Sequence, residues 1–241
     1  MMEWVLVTGD SGRLGSEIAK KILENRKHGV IGISRRENDV VFQMQDRYEH
    51  YVHINFDLSN PDKIKELYLN KLRQIGNICG LVNNSAMAYD DIVTNANTDN
   101  LDNMFKINVL SPIMLTKYAI RDMILHNVKG SIVHISSVSA HTGYKGLSMY
   151  AATKGALEAF SKNVAREWGI KGIRSNCVAP GFMETNISAK LNNEQRNKIY
   201  QRTSLKKATN IGSVAEMVCF LLGEEAISIT GSVINIDNGT L

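Results

Sequence analysis

Short apolar runs alternate with amphipathic segments along the chain, and this alternation limits the possible folds more than any other feature. Apolar residues between the runs recur with helical spacing, as at Leu14, Ile18 and Ile22, which predicts helices with one buried face. A strand buried on both faces reads as a continuous apolar run. The pattern therefore predicts an α/β fold, with a doubly wound parallel sheet of about seven strands and helices on both faces. The predicted strands are Trp4–Val7, Val30–Ile33, Tyr51–Phe56, Cys79–Val82, Ser131–Ile135, Ile173–Val178 and Ser232–Ile236.

The 241 residues are predicted to form one domain, 1–241, because the chain contains neither a linker-like stretch nor an internal repeat. The clearest helical patterns start near Pro61 and cover Asn100–Asn108, Pro112–His126 and Tyr150–Trp168. One irregular segment, 186–210, is rich in Asn, Lys and Gln and follows the sixth predicted strand. Since ligands of such sheets bind at the carboxyl ends of the strands, we predict a substrate-side flap there. The alternative is a solvated helical excursion.

Composition excludes several classes of function. The net charge is only +4, and the cations are scattered, which argues against a nucleic-acid or membrane-binding surface. No apolar stretch approaches the roughly 20 residues that span a bilayer. The three cysteines have no Cys-x-x-Cys spacing, which predicts reduced, buried thiols and a cytoplasmic location. The six histidines show no metal-ligand spacing, so we expect no metal site.

A glycine-rich turn joins the first predicted strand to the first helix. Glycines allow the backbone to approach a pyrophosphate, and the helix amino terminus favours the anion. This Rossmann arrangement predicts a dinucleotide site, although many strand–helix turns contain glycine without binding a nucleotide. The candidate residues of the turn are Gly9, Ser11, Gly12, Arg13, Leu14 and Gly15.

The end of the second strand predicts the choice of cofactor. An acid at this position would hold the free ribose of NAD, but the chain has Ser34-Arg35-Arg36. Arg35 and Arg36 suit the 2′-phosphate of NADP, and Arg13 adds a third positive charge nearby. NADP(H) is therefore the expected cofactor, unless the two arginines are ordinary loop cations. Asp57 and Leu58, which end the third strand, face the adenine in one interpretation; in the other, Asp57 caps the following helix.

Tyr150 and Lys154 lie four residues apart in the longest helical pattern, so they share one face of the helix. A lysine ammonium beside a tyrosine favours the phenolate and lowers the pKa of the phenol. Such a tyrosine can exchange a proton with a substrate oxygen. The spacing alone is weak, because a solvated helix face shows it too.

The ordered set of motifs resembles the short-chain dehydrogenase/reductase family. The motifs are Thr8-Gly9 in the turn, Asn83-Asn84-Ser85-Ala86, Lys106-Ile107-Asn108-Val109, Ile135-Ser136-Ser137, Tyr150-x-x-x-Lys154, Pro180-Gly181-Phe182-Met183-Glu184-Thr185 and Ile229-Thr230-Gly231. The turn departs from the usual Thr-Gly-x-x-x-Gly-x-Gly, because Gly12 comes one place early and Arg13 occupies the glycine position. The second departure is Asn-Asn-Ser-Ala where Asn-Asn-Ala-Gly is usual. Both departures add side chains close to the expected cofactor.

The resemblance implies roles for individual residues. Tyr150 is implied to be the general acid/base, Lys154 to lower its pKa and hold the nicotinamide ribose, and Ser137 to bind the substrate oxygen. Asn108 is implied to hold a water in the proton relay. The resemblance also implies cofactor contacts for Asn84, Met183, Thr185, Tyr150 and Lys154.

The wording of the motifs is most similar to the β-ketoacyl-carrier-protein reductase group. This similarity implies a carbonyl or acyl-thioester substrate, a homotetramer and a possible acyl carrier protein partner. The carrier contact uses basic residues near the active-site rim; Lys171 fits one such position, but Val128 fills the other. Two alternatives stay open: a sugar, polyol or small-alcohol dehydrogenase, and a non-catalytic NADP-binding regulatory protein.

Overall fold

The parallel sheet is the frame of the molecule. A computed structural model describes residues 2–185 and 191–241. Its seven strands run in the order β3-β2-β1-β4-β5-β6-β7, and every neighbouring pair is parallel. The predicted fold class is therefore confirmed. The strands are β1 Trp4–Thr8, β2 Gly29–Ser34, β3 Tyr51–Asn55, β4 Ile78–Asn83, β5 Ser131–Ile135, β6 Arg174–Pro180 and β7 Val233–Ile236.

The strand order fixes where a ligand can bind. From β1 the chain runs outward to β3, and it then returns to place β4 on the other side of β1. Two crossovers of opposite direction leave a crevice at the carboxyl ends of β1 and β4, which is the usual ligand site of such sheets. All loops that carry predicted site residues leave the sheet at this edge.

Helices cover both faces of the sheet. They are α1 Arg13–Glu24, α2 Asp39–Arg47, α3 Ile64–Leu67, α4 Arg73–Ile75, α5 Thr98–Phe105, α6 Ser111–Leu125, α7 Ser148–Trp168, α8 Asn193–Tyr200 and α9 Ile211–Leu222. Buried side chains of α1, α2 and α9 pack on one face, and those of α3, α6 and α7 pack on the other. The sheet is therefore buried between two apolar cores, as its near-continuous apolar strands require.

Two helices were not identified from the sequence. The helix α9 is apolar nearly all round and packs against α1 and the sheet, so it lacks the one-sided pattern that marks an amphipathic helix. The helix α2 buries only Val41 and Met44, and Asn38 caps its start by accepting a hydrogen bond from the Val41 N–H. π turns also occur within two helical regions, at Tyr68–Leu72 and Lys106–Leu110.

The irregular segment 186–210 contains a helix in its described part. Residues 186–190 of this predicted flap lie outside the described residues. The helix α8 starts with a capping box between Asn192 and Gln195 and buries none of its side chains. Beyond it, the Thr209 N–H donates to the Phe182 carbonyl. The helical alternative therefore describes 193–200 correctly, and a role in covering substrate stays a prediction.

The cysteines match the expectation of free thiols. Cys79 and Cys177 are buried, Cys219 is half-buried, and none of the three is in a disulfide. Among the described helices, none has the length and apolar character needed to cross a membrane.

Candidate active site

Ser137 and Tyr150 meet at the carboxyl edge of the sheet. Ser137 lies two residues beyond β5, where it caps a short 3-10 turn and accepts a hydrogen bond from the Ser139 N–H at 3.2 Å. Tyr150 is the third residue of α7, and its phenol lies close enough to the Ser137 side chain for that serine to lower its pKa. The strand end and the helix start thus bring together a hydroxyl and a phenol that are 13 positions apart.

Lys154 lies one helical turn after Tyr150, in a buried position. Its side chain is only 2% exposed, and Nζ donates to the Ile135 carbonyl at 2.7 Å. Nζ also lies 5.5 Å from the centre of the Tyr150 ring. Burial lowers the pKa of Lys154 to about 8, although Cys177 and Glu158 act in the opposite direction.

The expected lowering of the Tyr150 pKa is wrong for the chain alone. Burial and, to a smaller extent, the charge of Asp90 raise this pKa to about 12, and the interaction with Ser137 only partly offsets them. The Lys154 ammonium donates its hydrogen bond to the Ile135 carbonyl. In a low-dielectric site, burial disfavours both the phenolate and the ammonium. The phenol therefore keeps its proton at neutral pH.

Asn108 connects the helices behind this pair. It lies in the π turn Lys106–Leu110 and is 1% exposed. Its Oδ1 accepts from the Met87 N–H at 2.8 Å, while Nδ2 donates to the Met87 carbonyl at 2.8 Å and to Thr153 Oγ1 at 3.0 Å. The side-chain amide therefore ties the loop after β4 to α7, next to Lys154. π turns occur frequently at functional sites.

The glycine turn is packed against the end of β4. Asn84 Nδ2 donates to the Thr8 carbonyl at 2.8 Å, and the N–H groups of Asn84 and Ser85 both donate to Thr8 Oγ1 at 2.9 Å. A Cβ at Gly15 would lie only 2.1 Å from the Gly9 carbonyl oxygen. Asn84 thus positions the turn, and Gly15 is required by the close approach of α1.

The shifted middle glycine has a structural explanation. Gly12 adopts an extended conformation, with φ −88° and ψ 161°, which any residue can adopt. Arg13 begins α1, and its Nη1 reaches the Glu184 carbonyl at 2.6 Å. The side chain at the usual glycine position therefore contacts the loop after β6.

The remaining predicted cofactor contacts of the glycine turn and of the loop after β6 differ in burial. The Leu14 side chain belongs to the core, so only its backbone is available to a cofactor. The Ser11 carbonyl accepts from Asn38 Nδ2 at 2.9 Å. Met183 packs on the edge of the core, and the half-buried Thr185 ends the described part of this loop.

Arg35 and Arg36 are exposed at the end of β2. Neither guanidinium forms an ion pair within 2–185 or 191–241. An acid missed in the sequence interpretation, Glu37, lies next to them and accepts from Asn55 Nδ2 at 3.1 Å. The end of β2 therefore offers two free guanidinium groups beside one carboxylate that already has a partner.

Asp57 forms a turn before the following helix but does not cap it, because the N-cap residue there is Asn60, which makes no side-chain cap bond. Asp57 Oδ1 accepts from the Ser59 N–H at 2.9 Å, just before the 3-10 turn Pro61–Lys63. Leu58 is 5% exposed, and its carbonyl accepts from Ser111 Oγ at 2.6 Å. Both residues thus shape the third loop, and the Leu58 side chain belongs to the core.

The predicted position of Lys171 at the active-site rim is wrong for a single chain. Lys171 ends the turn Gly169–Lys171 just before β6, and Val128 precedes β5. Both residues therefore lie at the amino ends of the strands. Ser137 and Tyr150 lie at the opposite edge of the same sheet.

Comparison with known proteins identifies the family. Residues 11–240 match the family model described as Enoyl-(Acyl carrier protein) reductase. The chain is 34% identical over 238 residues to the 3-oxoacyl-[acyl-carrier-protein] reductase FabG of Buchnera aphidicola subsp. Acyrthosiphon pisum (strain APS), with 97% of this chain and 95% of that protein covered. A solved short chain dehydrogenase/reductase family protein superposes with a TM-score of 0.87 at 27% identity, covering 98% of this chain and 96% of the other.

The chain belongs to the short-chain dehydrogenase/reductase family. It is an oxidoreductase of that family, close to the reductases named FabG. A second solved short-chain structure, described as ElxO with NADP Bound, superposes with a TM-score of 0.88 at 28% identity. That alignment covers 100% of this chain and 99% of the other. The family resemblance read from the motifs is thereby confirmed.

A buried carboxylate in the glycine turn was missed in the sequence interpretation of this short-chain dehydrogenase. Asp10 is fully buried, and its Oδ2 is 2.5 Å from Tyr51 Oη and 2.6 Å from His53 Nδ1. Gly32 provides the space, because a Cβ there would lie 1.8 Å from Asp10 Oδ2. The turn is therefore fixed to β3 as well as to β4. The pairing of an acid in the turn with Tyr-x-His in the third strand was the available signal.

The Asp10–His53 pair predicts a pH-dependent stability. Burial alone would lower the pKa of His53, but the hydrogen bond and charge of Asp10 outweigh it, so the pKa is raised. A raised pKa adds stability that is complete below the unfolded pKa of about 6.5 and is lost as the pH rises through the folded pKa. Asp10→Asn should lower the free energy of unfolding at pH 6 by about 1–3 kcal/mol. It should also flatten this decline in stability above pH 6.5.

Urea denaturation at a series of pH values measures both effects. Asp46→Asn, at an exposed position of α2, makes the same chemical change without a buried partner. It should leave the curve of stability against pH nearly unchanged. Equal curves for Asp10→Asn and the wild type would contradict the role of the pair.

Proposed function

We propose that this protein is an NADPH-dependent carbonyl reductase whose substrate is a 3-oxoacyl thioester. The observation that carries the proposal is the meeting of Ser137 and Tyr150 directly beside the buried Lys154. The names of the relatives support the substrate class, since several are 3-oxoacyl-[acyl-carrier-protein] reductases. The NADP named for a neighbour at 28% identity supports the cofactor.

The donor groups of the carboxyl edge suit NADP. Arg35 and Arg36 are exposed and without ionic partners in the described chain, and guanidinium groups grip phosphates bidentately. The backbone of the glycine turn and the start of α1 would hold the pyrophosphate. Asn84, Met183, Thr185 and Lys154 would hold the nicotinamide half. When bound, NADPH supplies the hydride.

Tyr150 provides the proton in this mechanism. Because burial holds its pKa at about 12, the phenol is protonated at neutral pH and can donate to the carbonyl oxygen as negative charge develops there. Ser137 donates a second hydrogen bond to the same oxygen. Reduction uses this protonated form of the phenol, whereas oxidation of an alcohol would use the phenolate as a base.

Lys154 and Asn108 support the proton donor. The Ile135 carbonyl holds the Lys154 ammonium beside the Tyr150 ring, where it would position the nicotinamide ribose. Asn108 fixes α7 through Thr153. We propose that the π turn around Asn108 also places a water that returns the proton to this group.

An assay of NADPH and NADH consumption tests the function. Acetoacetyl-coenzyme A should be reduced with NADPH, whereas a panel of sugars, polyols and small alcohols should give no turnover with NADP⁺. Turnover of the panel without thioester reduction would replace this proposal with the sugar or polyol dehydrogenase. NADPH binding without turnover of either set would favour the regulatory protein.

The arginines at the end of β2 predict the cofactor preference. Arg35→Ala should weaken NADPH binding by about tenfold or more, because a charge-assisted hydrogen bond to phosphate contributes about 1.5–3 kcal/mol. NADH binding should change little. Isothermal titration with each cofactor measures both constants. Arg73→Ala, an exposed position at the other edge of the sheet, is the control; equal losses for NADPH and NADH would overturn the NADP assignment.

We also propose that segment 186–210 covers the substrate and that the enzyme is a homotetramer. The segment follows β6 at the carboxyl edge, and Glu184 accepts from Tyr200 Oη at 2.6 Å to anchor its helix. Lys171 lies at the edge of the sheet opposite this active site. We therefore propose that an acyl carrier protein bound at Lys171 of one chain would serve the active site of a second chain. Light scattering of the purified protein checks the assembly, and a monomer mass would contradict it.

A further inference from the structure

Three side chains with metal-binding atoms meet at the amino edge of the sheet, opposite the active site. Glu3 precedes β1, His28 precedes β2, and Cys79 is the second residue of β4. Because β1 lies between β2 and β4, these residues become neighbours although they are far apart in the sequence. One ligand atom from each lies within 4.8 Å of the other two. The thiol Sγ of Cys79 is 3.5 Å from His28 Nδ1.

A β-bulge places Cys79 on the same face as the other two residues. Trp4 pairs with Ile78 but Val5 pairs with Gly80, so Cys79 is an extra residue in β4. Ile78 therefore packs in the core under α3 and α6, whereas Cys79 packs in the core under α1 and α9. Strand alternation places Glu3 on that second face, as it does Val5. Bulges re-aim side chains in this way and are uncommon between parallel strands.

The separations fit a tetrahedral metal ion. Zinc binds sulfur at about 2.3 Å and nitrogen or oxygen at about 2.0–2.1 Å, so ligand atoms of one tetrahedral ion are about 3.3–3.6 Å apart. The sulfur–nitrogen distance of 3.5 Å already meets this value. The glutamate oxygen lies within 4.8 Å of the other two ligand atoms, so its side chain must rotate for these distances to shorten to the tetrahedral value.

We propose that Glu3, His28 and Cys79 bind Zn²⁺, with a water as fourth ligand, and thereby clasp the amino ends of three adjacent strands. On binding, the S–H bond of Cys79 breaks, its proton goes to solvent, and a Zn–S bond forms. Thiolate, carboxylate and Zn²⁺ then sum to zero charge. Of the three ligands, His28 also lines a neighbouring cavity of about 540 Å³. Imidazole, thiolate and carboxylate together favour zinc over Mg²⁺ or Ca²⁺.

The absence of a metal motif in the sequence does not oppose this site. The expectation of no metal site rested on short ligand spacings within one segment. Here the strand order and one bulge bring the ligands together, and neither feature is visible in local spacing. The site also lies at the edge that carries none of the proposed catalytic residues, so its role is separate from the reductase chemistry.

Metal titration of the full-length, chelator-treated protein tests the site. Zn²⁺ at a hundred times its dissociation constant should raise the melting temperature by about 5–10 °C, while Mg²⁺ and Ca²⁺ should not. Co²⁺ in place of zinc should bind at one ion per chain and give a thiolate-to-metal absorption band. Cys79→Ser and His28→Gln should each abolish the band and the thermal shift.

Cys219→Ser is the matched control, because this half-buried thiol lies in α9 outside the cluster. It should keep the Co²⁺ band and the Zn²⁺ shift. Absence of both signals in the wild type, or their equal loss in Cys79→Ser and Cys219→Ser, would reduce the cluster to a thiol–imidazole hydrogen bond. NADPH turnover, measured in parallel, should be similar in all variants that fold, so failure of the metal site leaves the proposed reductase activity untouched.

Discussion

Tyr150→Phe should lower kcat for thioester reduction by about 10²–10⁴-fold, the usual contribution of a positioned general acid. The variant keeps the ring that packs beside Lys154 and loses only the hydroxyl that lies near Ser137. NADPH binding should therefore change by less than about threefold. Steady-state kinetics gives kcat, and a separate fluorescence titration gives the NADPH dissociation constant. A loss confined to kcat identifies an interaction that forms in the transition state.

Tyr48→Phe provides the control for the loss of a phenolic hydroxyl. Tyr48 caps the end of α2, and its hydroxyl contacts Glu24 at 3.3 Å, far from the carboxyl edge. Its kcat should equal that of the wild type. If Tyr150→Phe kept kcat within tenfold, the proton would have to come from another group. The assignment of Tyr150 as the acid would then be wrong.

The fold could be predicted from the sequence because burial of the strands and helices dictates the pattern of apolar residues. Strands buried on both faces must be apolar, so every strand of the sheet was found within about two residues of its bounds. The helix α9 was missed because Met217, Cys219 and the exposed Phe220 extend its apolar character beyond the buried face, so its sequence shows little contrast between faces. The order of the strands and the bulge at Cys79 depend on pairing between distant segments, which no local pattern encodes.

The candidate site was accessible to a lesser degree. The motif resemblance named Ser137, Tyr150 and Lys154, and the structure brings these three together. The pKa of Tyr150 could not be predicted from the sequence, because it depends on the burial of the phenol and on the hydrogen-bond partner of the Lys154 ammonium. Asp10 was missed because an acid in a turn is usually solvated. Only the space above Gly32 and the partners in β3 reveal that it is buried.

Gly15→Ala should disable the cofactor site even though local propensity favours the change. Alanine in a helix is about 1 kcal/mol better than glycine, and Gly15 lies in the first turn of α1. However, the added Cβ would lie 2.1 Å from the Gly9 carbonyl oxygen, 2.6 Å from its carbon and 2.8 Å from Asn84 Nδ2. Two of these atoms are backbone, so the glycine turn must move away from α1.

Whether Gly15→Ala lowers or raises the free energy of unfolding shows which is larger, the steric clash of the added Cβ or the higher helix propensity of alanine. Overpacking of this kind costs about 1–3 kcal/mol, so urea denaturation should show a net loss of stability, and NADPH binding should weaken at least tenfold as the turn distorts. Gly12→Ala is the matched control, because its Cβ would lie 3.3 Å from the same oxygen in an extended backbone. It should cost less than half as much in both measurements. A stabilised Gly15→Ala that binds NADPH normally would show that the turn is free to adjust, and Asn84 would then not fix its position.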